Sequence, residues 1–343
     1  MRSLIENNEK NLIIAEAGVN HNGDKAKALA LVDVAAEAGA DAVKFQTFHT
    51  ASVVSPTAPK AQYQIENTSD GETQTEMLKK LELPFEWHLE LQRYCDKRGI
   101  IFASTPFHKE AVDLLVSLNV PFLKVSSTDL NNTPFLTYLA RQKIPLLIST
   151  GMSELAEVTD AIKTVETAGC PEWGLLHCLS QYPAPHGEAN LRAITTMAAA
   201  FNCPVGYSDH TLGSETALAA LGLGATIFEK HFTLDKTMEG PDHIASANPE
   251  ELASYISAIR LVESAMGDGI KTCQPSEIAT RDMARKSVTI VKPLPAGHTL
   301  KESDLTLLRP ADGIEPKHLS DVIGKKLKAD LEADQSLKWD HLV

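Results

Sequence analysis

The chain has no apolar run near the roughly 18 residues that a membrane-spanning helix needs, and its first ten residues, Met-Arg-Ser-Leu-Ile-Glu-Asn-Asn-Glu-Lys, lack the apolar core of a secretory signal. The expected location is therefore the cytoplasm, with no membrane partner. Cysteine is scarce and unpaired: Cys95, Cys170, Cys178, Cys203 and Cys273 are odd in number and form no Cys-x-x-Cys. That pattern excludes a zinc-ribbon or disulfide framework and leaves reduced, mostly buried thiols. Positive charge is also lacking. A net charge of −13 argues against sequence-independent binding to a nucleic-acid backbone, although a few lysines focused in a cleft can still hold a small anion. No G-x-G-x-x-G follows the first apolar run, which counts against a dinucleotide-binding open sheet.

What is present is a regular alternation. At 343 residues, 43% hydrophobic and 22% charged, the chain can bury one large core and a small one. Short apolar runs read as strands at 12–17, 42–48, 100–105, 122–127, 145–150, 174–180, 204–208 and 226–231. Segments with apolar residues at spacings of three and four lie between them and after the last, at 25–38, 85–97, 109–118, 134–142, 155–168, 191–201, 214–223 and 249–266. Asn132 and Ser153 read as amino-terminal caps. Eight strand and helix pairs in about 250 residues predict an α/β fold of the (β/α)8 TIM-barrel type. A long polar insert at 56–71 interrupts the second pair, as lids and binding loops do. Past residue 275 the texture changes to short strand-like pieces (287–291, 305–308) and turns. The predicted organisation is a barrel domain at 1–270, a linker at 271–284 and a small domain at 285–343.

The stretch 227–243 carries the clearest chemistry. Buried parallel strands read as continuous apolar runs, yet this one ends in Glu229, Lys230 and His231, and the run before it ends in Ser208, Asp209 and His210. Barrel enzymes place such residues at the carboxyl ends of their strands. Lys44 and Lys124 lie inside apolar strands, where an unpaired ammonium costs several kcal/mol. Either a phosphate meets them, with the hydroxyls of Thr105, Ser127 and Ser149 and the close approach allowed by Gly151, or each pairs with an acid such as Glu16 or Glu229. Two buried lysines among hydroxyls favour phosphate. His210 and His231, from adjacent strands, can converge on one cation, and imidazole with oxygen and water suits a catalytic Mn, Co, Fe or Zn ion. His21 and His243 remain further candidates. Glu16, Glu229 and Asp242 either bind substrate hydroxyls and trade protons or balance the lysines.

These stretches resemble the sialic acid synthase family. The matching text is IIAEAGVNHNG (13–23), VKFQTF (43–48), STPF (104–107), STGM (149–152), LLHC (175–178) with YPAP (182–185), GYSDHT (206–211), FEKHFTLDK (228–236) with GPDH (240–243), and then ARKS (284–287) and LRPADGI (308–314). The resemblance implies a barrel followed by an antifreeze-like (SAF) domain in a domain-swapped homodimer. The implied reaction condenses phosphoenolpyruvate with an N-acylated amino hexose. By the same match, His210 and His231 hold Mn2+. Lys44, Thr105, Lys124, Ser127 and Ser149, with Ser180 where relatives carry Asn or Thr, hold phosphoenolpyruvate. Gln46, Tyr182 and Asp242 face the sugar, and Arg309 reaches its acyl group from the partner subunit. Glu16 and Glu229 also match positions facing the sugar, and the expected proton handler is Glu16, Glu229 or Asp129. The family commonly reads Ser-Gly-Glu where this chain has Ser127, Thr128 and Asp129. Within the family, EAGVNHN (16–22) and KFQ (44–46) resemble legionaminic and N-acetylneuraminic acid synthases more than the pseudaminic branch, with legionaminic acid preferred. A non-catalytic sugar-binding homologue and a heptulosonate-type condensing enzyme are the rival readings.

Overall fold

The computed structural model describes residues 10–68 and 71–343. The reading of residues 1–9, and positions 69 and 70 of the predicted insert, lie outside the described residues. The contacts divide the chain into two units, Met1–Gly267 and Asp268–Val343.

Among the described residues of the first unit eight strands alternate with eight longer helices, as the sequence predicts. The strands are β1 (Leu12–Gly18), β2 (Ala42–Thr47), β3 (Ile101–Pro106), β4 (Leu123–Val125), β5 (Leu146–Ser149), β6 (Trp173–Cys178), β7 (Val205–Asp209) and β8 (Ile227–His231). The helices, one after each strand, are α1 (Lys25–Glu37), α2 (His88–Arg98), α3 (Lys109–Ser117), α4 (Thr133–Arg141), α5 (Leu155–Thr167), α6 (Ala193–Phe201), α7 (Glu215–Gly222) and α8 (Pro249–Met266). The strands pair in parallel in the order β3-β2-β1-β8-β7-β6-β5-β4. β3 and β4, the two ends of that order, lie beside one another and bring the sheet near closure. This is a TIM-like barrel.

Local chemistry sets the helix starts. Asn132 caps α4 as predicted, its side chain accepting from the Phe135 N–H. Ser153 does not cap α5: the cap falls one residue later at Glu154, whose N–H donates to the Glu157 carboxylate at 2.8 Å, so the reciprocal acid, not the serine, fixes that terminus. β4 is shorter than predicted because Ser126 turns the chain, its hydroxyl accepting from the Thr128 N–H as residues Ser127–Asp129 wind into a 3-10 turn. The insert after β2 is not all loop. It holds a short helix at Gln62–Asn67, between others at Thr50–Val53 and Gln74–Lys80.

Strand alternation sorts the side chains into two cores. Ile13, Val43, Phe102 and Leu175 pack outward under the helices. Leu12, Ile14, Ala42, Ala103, Phe122, Leu147, Leu176 and Ile227 fill the barrel interior. Glycine is required at position 206, since a Cβ there would meet the Ile227 carbonyl oxygen at 2.2 Å. Moving two residues along each strand from the apolar interior layer replaces it with a polar one: Glu16, Lys44, Thr105, Lys124, Ser149, Cys178 and Glu229.

The second unit pairs β9 (Ser287–Ile290) antiparallel to β10 (Leu305–Leu308) around a core that includes Val288, Ile290, Leu300, Ile314 and Leu337. The helix Ile278–Ala284, within the stretch the sequence gives as linker, belongs to this unit, where the Ala311 N–H donates to the Asp282 carbonyl at 2.9 Å.

Candidate active site

Two buried lysines and two buried glutamates form the centre of the polar layer. Lys44 Nζ lies 2.7 Å from Glu16 Oε2 and 3.6 Å from Glu229 Oε2, and donates to Thr105 Oγ1 at 3.0 Å. Lys124 Nζ donates to Ser149 Oγ at 2.7 Å and to the Val125 carbonyl at 3.1 Å, with Glu229 Oε1 at 3.9 Å. The lysines therefore meet acids within the chain, and two of the three hydroxyls expected around a phosphate, Thr105 and Ser149, are on the same ammonium groups. Gln46 Nε2 donates to Glu16 Oε1 at 3.3 Å, and Ser208 Oγ donates to Glu229 Oε1 at 2.8 Å. The space enclosed is about 60 Å3, little more than room for a few waters.

The environment pushes the two carboxyls apart. Burial raises the Glu16 carboxyl to about 7 against the pull of Lys44. Burial would also raise Glu229, but the ammonium groups of Lys124 and Lys44 and the Ser208 hydroxyl hold it down at about 2. Burial works to lower Lys44, but Glu16 and Glu229 outweigh it and raise it; burial lowers Lys124. One carboxylate is thus firmly ionised between two lysines, and the centre carries surplus positive charge suited to an anion.

His210 and His231 stand on the same rim, their ring centroids 5.4 Å apart. Tyr182 packs on both, 4.2 Å from the first ring and 5.5 Å from the second. His210 Nδ1 donates to the Leu179 carbonyl, which leaves the lone pair on Nε2, the tautomer of a metal-ligating imidazole. Burial lowers His210 and, with the neighbouring His210 ring, lowers His231 well below its ordinary value. Both rings are therefore neutral at pH 7, and His231 Nδ1 is buried without a hydrogen-bond partner. Among the described residues no third His, Cys, Asp or Glu completes a cluster. The donor set fits a divalent ion held by two imidazoles, with oxygens from solvent or substrate filling the other positions.

His243 is excluded as a ligand because both ring nitrogens are engaged, by Thr233 Oγ1 at 2.6 Å and Asn22 Oδ1 at 3.1 Å. His21 does not join the pair either; its Nδ1 accepts from the Gly23 N–H. Asp129 and Asp242 do not line the cavity. Asp129 accepts from Asn132 Nδ2 at 2.9 Å, so the departure at Thr128 and Asp129 lies outside the lysine and glutamate centre. Burial raises Asp242 to about 6. Ser180 meets Ser127, their hydroxyl oxygens 3.3 Å apart. Arg309 belongs to the second unit, where it is exposed. Cys178 and Phe107 line the cavity although the sequence reading gave them no role; the place of Cys178 at the end of β6, two residues past the interior Leu176, is the signal that could have found it.

Comparison with known proteins identifies the family. A model of the NeuB family matches residues 31–271, and a SAF domain model matches residues 285–343. The N,N'-diacetyllegionaminic acid synthase of Legionella pneumophila is 46% identical over 338 residues, spanning 96% of this chain and 94% of that protein. The enzyme of the same name from Campylobacter jejuni is 43% identical over 332 residues, spanning 96% and 99%. Among solved structures, N-acetylneuraminic acid synthetase from Leptospira borgpetersenii, in complex with citrate, superposes with a TM-score of 0.69 at 34% identity over 79% of this chain and 90% of that one.

Proposed function

The chain belongs to the NeuB family and ends in a SAF domain, and from that premise we propose that it is a nonulosonic acid synthase making N,N'-diacetyllegionaminic acid. It condenses phosphoenolpyruvate with the open-chain 2,4-diacetamido-6-deoxy hexose and releases phosphate. The two legionaminic acid synthases at 46% and 43% identity support that choice of sugar. N-acetylmannosamine, leading to N-acetylneuraminate, is the alternative that the same assay separates. The observation that carries the reading is the four-residue centre of Lys44, Lys124, Glu16 and Glu229 beside the converging His210 and His231.

In the reaction, C3 of phosphoenolpyruvate bonds to the aldehyde carbon of the sugar, water adds at C2, and the tetrahedral product loses phosphate by C–O cleavage. Lys44 and Lys124 bind the phosphate and offset the charge that develops on it. A phosphate entering the cavity competes with Glu16 for the Lys44 ammonium. Thr105, Ser149 and Ser127, with Ser180, orient the enol through its oxygens. Glu16 is the proton handler: its carboxyl is the one poised near neutrality, while Glu229 stays ionised and steadies the two ammonium groups, the division of labour that two carboxyls in unlike surroundings adopt. A divalent ion, Mn2+ in this reading, would be held by His210 and His231 and would act as a Lewis acid toward the aldehyde oxygen.

The proposal includes a cytoplasmic homodimer in which Arg309 serves the partner's sugar site; its support is the match of residues 308–314 to the family motif. Phosphate release is measured with phosphoenolpyruvate and each sugar, with Mn2+ and then with EDTA. The reading expects release that stops on chelation and returns with Mn2+. Turnover that ignores chelation contradicts the role given to the histidines.

A further inference from the structure

Asp209 and Lys230 each precede a candidate metal ligand in sequence, and neither takes part in the reaction above. β7 and β8 pair in register as Tyr207 with Phe228, Ser208 with Glu229 and Asp209 with Lys230. Alternation turns Ser208 and Glu229 into the barrel and Asp209 and Lys230 out of it. The two strand ends are therefore bridged on both faces, inside by Ser208 Oγ to Glu229 Oε1 at 2.8 Å and outside by Lys230 Nζ to Asp209 Oδ2 at 3.0 Å.

The outer bridge reaches further than an ordinary ion pair. Its two members are buried, and the Lys230 ammonium also donates to the Thr211 and Gly213 carbonyls and stands 5.1 Å from the centre of the Tyr255 ring. Asp209 Oδ1 accepts from the Thr211 N–H at 2.8 Å and from Thr211 Oγ1 at 2.7 Å. His210 lies past the end of β7, so no ladder fixes it. It is flanked instead by two residues tied to one another, and the loop that carries it is hooked to the residue immediately before His231.

We propose that Asp209 and Lys230 are positioning residues for the metal: a clamp on the outer face of the barrel that sets the separation and aim of His210 and His231. The proposal rests on the reading that those two imidazoles hold the ion. Partners that orient ligands in this way typically change metal affinity about 10- to 100-fold when removed, whereas a pair that only stabilises the fold leaves the affinity of folded protein unchanged.

The test is Mn2+ titration of the full chain, followed by the EPR signal of free Mn2+, for wild type and for Lys230→Met, Asp209→Asn, Thr211→Val and His231→Ala. Phosphoenolpyruvate affinity of the metal-free proteins is measured alongside by calorimetry. The expected result is Mn2+ binding weakened about 10- to 100-fold in Lys230→Met and Asp209→Asn and to a lesser degree in Thr211→Val, with phosphoenolpyruvate affinity within about threefold of wild type. If Lys230→Met and Asp209→Asn do not fold, Thr211→Val decides, because it keeps the ion pair and the backbone ties and removes only the Thr211 hydroxyl, with its bonds to Asp209 and Thr216. Wild-type Mn2+ affinity in the folded variants, or Mn2+ and phosphoenolpyruvate affinities falling together, overturns the clamp. Unchanged Mn2+ affinity in His231→Ala overturns the two-histidine reading instead, so the two failures are distinguishable.

Discussion

Glu16 and Glu229 share one ammonium group, Lys44, at 2.7 and 3.6 Å, yet hold protons of very different strength. Glu229 has a second lysine and the Ser208 hydroxyl; Glu16 has only a neutral amide, Gln46. The asymmetry is what supports giving Glu16 the mobile proton in the proposed reaction. Glu16→Gln keeps the shape and removes the proton, and should lower kcat by about 100- to 10,000-fold with a far smaller change in phosphoenolpyruvate affinity. Steady-state kinetics with calorimetry checks this; a kcat within a few-fold of wild type contradicts it.

Lys124→Met should weaken phosphoenolpyruvate binding by about 10- to 100-fold, the worth of one charge-assisted hydrogen bond, because Lys124 has no full partner among the acids. Calorimetric titration of metal-free protein measures it. Unchanged affinity would move the phosphate elsewhere in the barrel.

Gly151 has φ +46°, and a Cβ there would lie 2.3 Å from Ser127 Cβ and 2.7 Å from Ser180 Oγ. Gly151→Ala adds a left-handed strain of about 1–2 kcal/mol and forces apart the two hydroxyls assigned to the enol. KM for phosphoenolpyruvate should rise at least tenfold while the melting temperature shows a modest fall. An unchanged KM would remove Ser127 and Ser180 from the substrate.

How much of this was legible in the sequence depends on the scale. The strands announced themselves because buried parallel strands are uniformly apolar, and the interior polar layer did so because Lys44 and Lys124 break that uniformity. His210 and His231 could be paired because they stand at matching positions at the ends of adjacent apolar runs. What the sequence could not yield was partnership. From the sequence Lys44 reads as a phosphate ligand ahead of a mate for Glu16, since only the register of β1 against β2, Glu16 opposite Lys44, reveals their contact. Asp129 read as a proton handler by its place in a motif; the turn at Ser126 carries it away from the cavity. Lys230 stood in the same charged triplet as Glu229 and His231, and strand alternation alone puts it on the other face.

Stability should fall on mild acidification for a reason unconnected with catalysis. His88 is buried with Nε2 2.7 Å from Thr47 Oγ1, and burial lowers it from 6.5 to about 4. The unfolded chain takes up the proton below about 6.5 and the folded chain does not, so stability is full above that pH and is lost as pH falls toward 4. The loss amounts to about 3 kcal/mol when complete. His88→Gln should flatten the slope of melting temperature against pH between 6.5 and 4, leaving the shares of other buried histidines such as His21 and His243, which burial also lowers to about 4. An identical slope in the variant contradicts the assignment.

The central claim is that the lysine-lined centre takes phosphoenolpyruvate and gives up its phosphate by breaking the C–O bond. The most direct measurement uses phosphoenolpyruvate carrying 18O in the bridging oxygen, with the 2,4-diacetamido-6-deoxy hexose and Mn2+, and reads the masses of both products. The account predicts one 18O in the released phosphate and a nine-carbon diacetamido acid formed in equal amount. Label retained in the sugar acid, or phosphate released with no such acid, would contradict it.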